Sequence, residues 1–309
     1  MENIYVPEGG LLDTAQNLEY TRSLEGLEKA MLGNIILEAK AVMCDSSHNL
    51  FVDLGRYKGM IPRNEAVFCP NGEDVKDIAV ITRVGKSVCF VVTDIVSQNG
   101  QIKIMLSRRT AQKMCCENYI SRFCRGDVID ATVTHIEPFG AFCDVGCGVV
   151  GLLPIDCISV SRISHPSERF GTGQKIKCVV KNIEKEIYRV TLSHKELLGT
   201  WQENAELFEA GETVRGIIRS VEPYGIFVEL TPNLAGLAEW CDGVGRGDVA
   251  AVYIKSIIPE KMKIKLVVVD AVPEDDARMP VKYFTETRHM DFWQYSPDGC
   301  SKEIMSTFI

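Results

Sequence analysis

Two short motifs carry paired aromatic rings. Residues 137–142 and 222–227 share the pattern Glu-Pro-aromatic-Gly-x-Phe, which places Phe139 with Phe142 and Tyr224 with Phe227. Flat rings offer stacking faces to nucleobases, and single-stranded nucleic acid also needs a track of cations for its phosphates. Lys181 and Arg189 follow the first motif, and Lys255 and Lys263 follow the second. A weaker copy upstream keeps Phe51 and Lys103, with His48 standing where the others have Phe139 and Tyr224. Strand alternation sends residues i and i+3 to opposite faces. Both rings of a pair reach one surface only if a bulge or bend at Gly140 or Gly225 resets the register. Otherwise Phe142 and Phe227 turn inward as core, and the aromatic before each glycine is the one expected outside.

Other chemistry finds little support. Cys143 and Cys147 lie four apart near His135, but no second ligand pair follows at zinc spacing. Cys115 and Cys116 are adjacent on a predicted helix and do not readily share a ligand set. There is no Gly-x4-Gly-Lys-Ser/Thr loop, no Gly-x-Gly-x-x-Gly and no His-Glu-x-x-His among the five scattered histidines. An acidic residue recurs two positions after each Phe, as Asp53, Asp144 and Glu229. A turn or a neighbouring cation accounts for it better than a nuclease, which needs several carboxylates converging on metal. No catalytic residue, metal or cofactor is expected.

Repeats organise the elements that must position these residues. GDVIDATVTHIEPFGAFCDVGCGVVGLLP aligns with GETVRGIIRSVEPYGIFVELTPNLAGLAEW, and each is followed by a strand, a short hairpin and another strand. Val128, Ile129, Ala131, Val133 and Ile136 have the period of a half-buried strand. The weaker copy is longer in its middle, around 68–88. About five short strands per copy suit a small closed barrel, because closure removes exposed edges. The expected fold is mainly β: three tandem five-stranded barrels joined by short helices. The expected division is an N-terminal extension 1–24, barrels at 25–109, 125–195 and 210–270, helical linkers at 110–124 and 196–209, and a tail 271–309. Ser23 can cap a helix over 24–31 that Gly33 ends, and 107–122 and 193–208 have helical composition. The tail aromatics Tyr283, Phe284, Phe292, Trp293 and Tyr295 are expected on the third barrel.

The chain has 309 residues, 46% of them hydrophobic and 25% charged, which excludes wholesale disorder. Its net charge of −8 argues against a nucleic-acid binder until it is divided. Residues 1–24 and 271–309 each carry −3 and residues 196–209 carry −4, whereas the three barrels together carry +1. A local basic face is therefore compatible with the composition. No apolar run approaches the ~18 residues of a spanning helix, and the first ten residues lack a signal's basic and apolar regions. Twelve cysteines then read as reduced thiols in a cytoplasm.

With these residues in view, the chain resembles the RNA-binding domain named for small-subunit ribosomal protein S1. Residues 125–194 carry Phe-Gly-Ala-Phe-x-Asp-x-Gly, Gly-Leu and Arg-x-x-Leu-Ser, and 210–270 carry a close variant. KGMIPRNEA and LSRR extend the likeness into 25–109, and ISHPSERF and HKELLGTWQENA resemble the family's inter-strand loop and following helix. The resemblance covers about 25–270 and suggests a bacterial short form. It implies OB-fold barrels and single-stranded RNA, messenger RNA in translation, as ligand. The small ribosomal subunit is a candidate partner, and a monomer is expected. The RNA face would comprise Phe139, Phe142, Lys181, Arg189, Tyr224, Phe227, Lys255 and Lys263, with His48, Phe51 and Lys103 in the first module. Pro154 and Glu239 stand where the family often has a His on that face. The alternative is a protein adaptor with partly degenerate barrels, docking to the ribosome or an RNA-processing complex, and the first module, short of one stacking ring, is the one expected to dock protein or ribosome.

Overall fold

Alternating apolar residues in each repeat close three barrels. The computed structural model describes residues 5–98, 101–274 and 277–309. The first barrel holds β1 (Leu37–Cys44), β2 (Leu50–Leu54), β3 (Tyr57–Ile61), β4 (Ser87–Gln98) and β5 (Gln101–Ser107). The second holds β6 (Val128–Glu137), β7 (Gly140–Gly146), β8 (Val149–Pro154), β9 (Lys175–Glu184) and β10 (Arg189–Ser193). The third holds β11 (Thr213–Glu222), β12 (Gly225–Thr231), β13 (Leu234–Ala238), β14 (Val249–Ile258) and β15 (Lys263–Val272). Each is closed in the order first, second, third, fifth, fourth, with the third and fifth strands parallel. Closed five-stranded barrels are what the repeats suggested, and this arrangement is the OB-fold that the family resemblance implied.

Period-two burial drives the closure. Ile129, Ala131 and Val133 of β6 are buried, as are Ala250, Val252 and Ile254 of β14. The long first strand of the first and third barrels bends at a register shift, between Ala41 and Met43 and between Ile218 and Ser220. Such an irregularity supplies the extra twist a small barrel needs.

Helices sit at the joints. Ser23 caps α2 (Leu24–Leu32) and Gly33 ends it, as expected. Before it lies α1 (Ala15–Thr21), capped by Thr14, which the sequence patterning did not single out. The long segment after β3 contains α3 (Asp77–Ile81). Helix α4 (Arg108–Asn118) follows β5, with the Ser107 hydroxyl accepting from Thr110 N–H at 2.8 Å. Over 193–208 the expected helix is broken. A 3-10 turn at Lys195–Leu198 is followed by the short α5 (Trp201–Ala205). Between them Gly199 takes φ +80°, and a Cβ there would strike the Phe284 ring. A helix cannot pass through that conformation.

The chain divides into two compact units. One takes residues 1–123 with the hairpin ends 144–151 and 184–189, and the other takes 124–143, 152–183 and 190–309. Inside the first, buried Glu8 accepts from Arg108 Nε at 2.6 Å, and its N–H donates to Asp144 at 2.7 Å. Inside the second, the tail corrects an expectation. Trp293 and Tyr295 join the third barrel's core, but Phe308 packs on Val179 and Leu197 of the second barrel's region. Tyr283 also goes there, because its hydroxyl finds partners in that region: it accepts from Lys177 N–H at 2.9 Å and meets buried His194 at 3.3 Å. Phe292 is exposed, in β16 (Phe292–Gln294), which pairs with β17 (Met305–Thr307).

Candidate nucleic-acid interface

The third barrel shows how one hairpin presents two rings. The last β11–β12 pair is Glu222 with Gly225, leaving Pro223 and Tyr224 as a two-residue turn. A ring on the turn escapes strand alternation, so Tyr224 stands out at 69% exposure. Phe227 follows on β12 between buried Ile226 and Val228 and faces outward by ordinary alternation. The rings meet edge to face, centroids 6.2 Å apart at 85°. The register is thus reset by the turn and not, as expected, by a bulge at the glycine. The glycine supplies clearance: Gly225 takes φ +148°, and a Cβ there would lie 2.6 Å from the Ala238 carbonyl.

The second barrel repeats the device. Pro138 and Phe139 fill the turn between β6 and β7, and a Cβ on Gly140 would lie 2.5 Å from the Leu153 carbonyl. Phe139 is 56% exposed and meets Phe142 at 5.9 Å and 88°. His135 also stacks on Phe142, centroids 6.2 Å apart at 21°. Sequence reasoning weighed His135 only as a metal ligand. Its place near the end of β6, seven residues before Phe142 across the hairpin, was the signal that could have found it.

The cations divide unevenly. Lys255 and Lys263 line one cleft of about 740 Å³ with Tyr224 and Phe227, so the third barrel brings together all four of its candidate residues. The cleft also holds Leu237 and Lys265, which follow Phe227 in one cross-strand row. Lys255 is ion-paired with Glu239 at 3.3 Å. In the second barrel, Lys181 Nζ donates to Cys157 Sγ at 3.0 Å. Arg189 opens β10 and pairs with Glu184 at 3.5 Å in the hairpin end that groups with the first unit.

The first barrel departs most. A five-residue loop, 45–49, replaces the two-residue turn between Cys44 and Leu50. Asp45 organises it by accepting from Ser47 and Asn49 N–H. His48 sits at φ +60° with Nδ1 3.5 Å from Asp77. It therefore does not take the place of a turn ring. Phe51 remains outward, flanked across the strands by Met43 and Met60, with Met105 beyond Met60. Lys103, exposed on β5, lies on the same face as Met105.

The recurring acid has three local roles. Asp53 accepts from Gly55 N–H at 2.9 Å in an exposed turn. Asp144 accepts from Gly146 and Gly148 N–H at 2.8 and 3.0 Å, and burial beside Glu8 pushes its carboxyl up to about 7. Glu229 is fully buried and accepts from both Arg169 and Arg219. These are turn and charge-balancing roles, and no group of three or more His, Cys, Asp or Glu fit for a metal occurs among the described residues.

Comparison with known proteins bears on the same region. Residues 122–195 match the S1 RNA binding domain model. Small ribosomal subunit protein bS1 of Staphylococcus aureus strain COL is 28% identical over 234 residues, 74% of this chain and 57% of that protein. The chain thus spans just over half of that relative's length. The bS1 homolog of Bacillus subtilis strain 168 is 26% identical over 312 residues, 98% of this chain and 77% of its own. A multidomain protein with nucleic acid binding domains from Streptococcus pneumoniae aligns over 76% of this chain and 73% of its own at 12% identity, with a TM-score of 0.26. The second barrel thus matches the S1 RNA binding domain over residues 122–195, and the chain that carries it, with a like barrel before and after it in sequence, is similar along most of its length to small ribosomal subunit protein bS1.

Proposed function

We propose that this chain is a non-catalytic single-stranded RNA-binding protein that takes unstructured messenger RNA in translation, with the small ribosomal subunit as a partner. One observation carries this reading. The same outward, perpendicular ring pair recurs at the same hairpin end of two barrels, beside a lysine-lined cleft in the third. Bases stack on such rings with little sequence preference, lysines track the phosphates, and tandem sites add avidity. The barrels correspond to the domains 25–109, 125–195 and 210–270, and the chain acts as a monomer in the cytoplasm.

The test is fluorescence anisotropy of a labelled unstructured RNA of about 30 nucleotides at three salt concentrations. The Phe139→Ala/Phe142→Ala chain runs alongside, with its fold checked by circular dichroism. Affinity should fall with salt, and the double substitution should cost about 1–3 kcal/mol per lost stack. A folded double variant that binds unchanged removes the rings from the interface. Failure of the intact chain to bind at low salt overturns the reading.

A second role is favoured for the first barrel. Met43, Phe51, Met60 and Met105 form an apolar row where the third barrel has Ser220, Phe227, Leu237 and Lys265. Methionine side chains adapt to protein surfaces, so this barrel suits protein docking better than phosphate contact.

A further inference from the structure

The cleft of the third barrel has a wall that the barrel does not supply. Cys300, Ser301, Lys302 and Ile304 of the tail line it together with Tyr224 and Phe227. This hook is built firmly. Tyr295 N–H donates to the Ile304 carbonyl at 2.9 Å, closing the loop just inside the β16–β17 pair. The Ser296 hydroxyl donates to the Lys302 carbonyl and accepts from Ile304 N–H, both at 2.8 Å. Cys300 is buried with its thiol 3.4 Å from the Glu260 carbonyl, and the Tyr295 hydroxyl donates to the Asn233 carbonyl. These five hydrogen bonds hold a loop whose outer residues, Ser301 and Lys302, are exposed.

The electrostatics of the cleft point the same way. Five lysines line it, Lys255, Lys261, Lys263, Lys265 and Lys302, against Glu239 and Glu260. Among the described residues, Lys255 is the one of the five with a carboxylate within 4 Å. A polyanion entering over the rings would meet cations on the barrel and on the hook alike.

We propose that the tail hook 296–304 is part of the RNA-binding surface, with Lys302 holding a phosphate of the strand whose bases stack on Tyr224 and Phe227. The proposal rests on the RNA-binding reading above and adds to it a contact from outside the barrel. The hook thereby lengthens the path that one barrel offers to a single strand.

The full-length Lys302→Glu chain tests it, by anisotropy against the same 30-nucleotide RNA, with thermal unfolding as the fold check. Lys282→Glu makes the same charge change on the tail at a side chain that packs over Phe284, outside the cleft. The expected result for Lys302→Glu is at least a threefold loss of affinity and a salt slope shallower by about 0.7, the value of one single-strand phosphate contact. Lys282→Glu should keep the wild-type slope. A Lys302→Glu chain that binds no worse than Lys282→Glu overturns the hook's role while RNA binding stands. An intact chain that binds no RNA overturns both.

Discussion

Glu239 is the residue that works against the third barrel's cleft. It lines the cleft beside the rings and holds Lys255 at 3.3 Å, so it both repels phosphate and occupies a cation. Its carboxylate is exposed, and an exposed pair of this kind contributes little to stability. Removing the charge should therefore change binding without harming the fold. Glu239→Gln is expected to tighten RNA binding several-fold at low salt, with a steeper salt dependence as Lys255 becomes available to phosphate. Isothermal titration at two salt concentrations checks it, and unchanged affinity would place the strand's path away from β13. At this scale the sequence displayed Phe139, Phe142, Tyr224 and Phe227 plainly, because an i, i+3 spacing beside Pro and around Gly is local. It did not display His135 or Lys302, whose neighbours come from other strands.

A two-residue turn, at the scale of elements, decides whether a ring pair exists. The Pro-aromatic turn occurs in the second and third barrels, and the five-residue Asp45–Asn49 loop of the first has no equivalent ring. The joint after β10 depends on a buried histidine. His194 is wholly buried, its Nδ1–H donating to the Ile158 carbonyl at 3.0 Å and its Nε2 accepting from the Tyr283 hydroxyl. Burial and nearby Arg169 depress it to about 4, against 6.5 when free. Below pH 6.5 the unfolded chain takes a proton that the folded one refuses, so stability is lost as pH falls from 6.5 towards 4. That loss amounts to about 3 kcal/mol. Asp144, raised to about 7, acts in the opposite sense and loses stability as pH rises through that range. The clean measurement is therefore the difference between wild type and His194→Gln. Denaturant unfolding should show a steeper acid-side loss in wild type, and parallel profiles would show that the imidazole titrates freely.

On the scale of the second unit, a buried charge cluster ties the loop before β9 to the third barrel. Arg169 and Glu229 are fully buried, Arg219 nearly so, and Arg219 and Arg246 also reach Glu168. Removing the one carboxylate between Arg169 and Arg219 leaves two buried cations facing each other. Glu229→Gln should cost about 3–5 kcal/mol, seen as an earlier unfolding transition. Replacing Arg169, Arg219 and Glu229 together by Met or Leu should recover most of that loss; a triple variant as unstable as the single one would refute this account of the cluster. Glu229 also marks the limit of what could be read from the chain alone. Its recurrence after Phe227 suggested a cation partner, but Arg169 lies 60 residues away. By itself the sequence determined the three repeats, the strand alternation, barrel closure and the paired rings, since period-two burial and tight turns act within a few residues. Only the tertiary structure decided that Lys255 and Lys263 meet the rings, that His48 turns to Asp77, that Tyr283 joins the second barrel's region and that the tail walls the cleft. Those choices rest on packing and desolvation between distant segments, which no local pattern encodes.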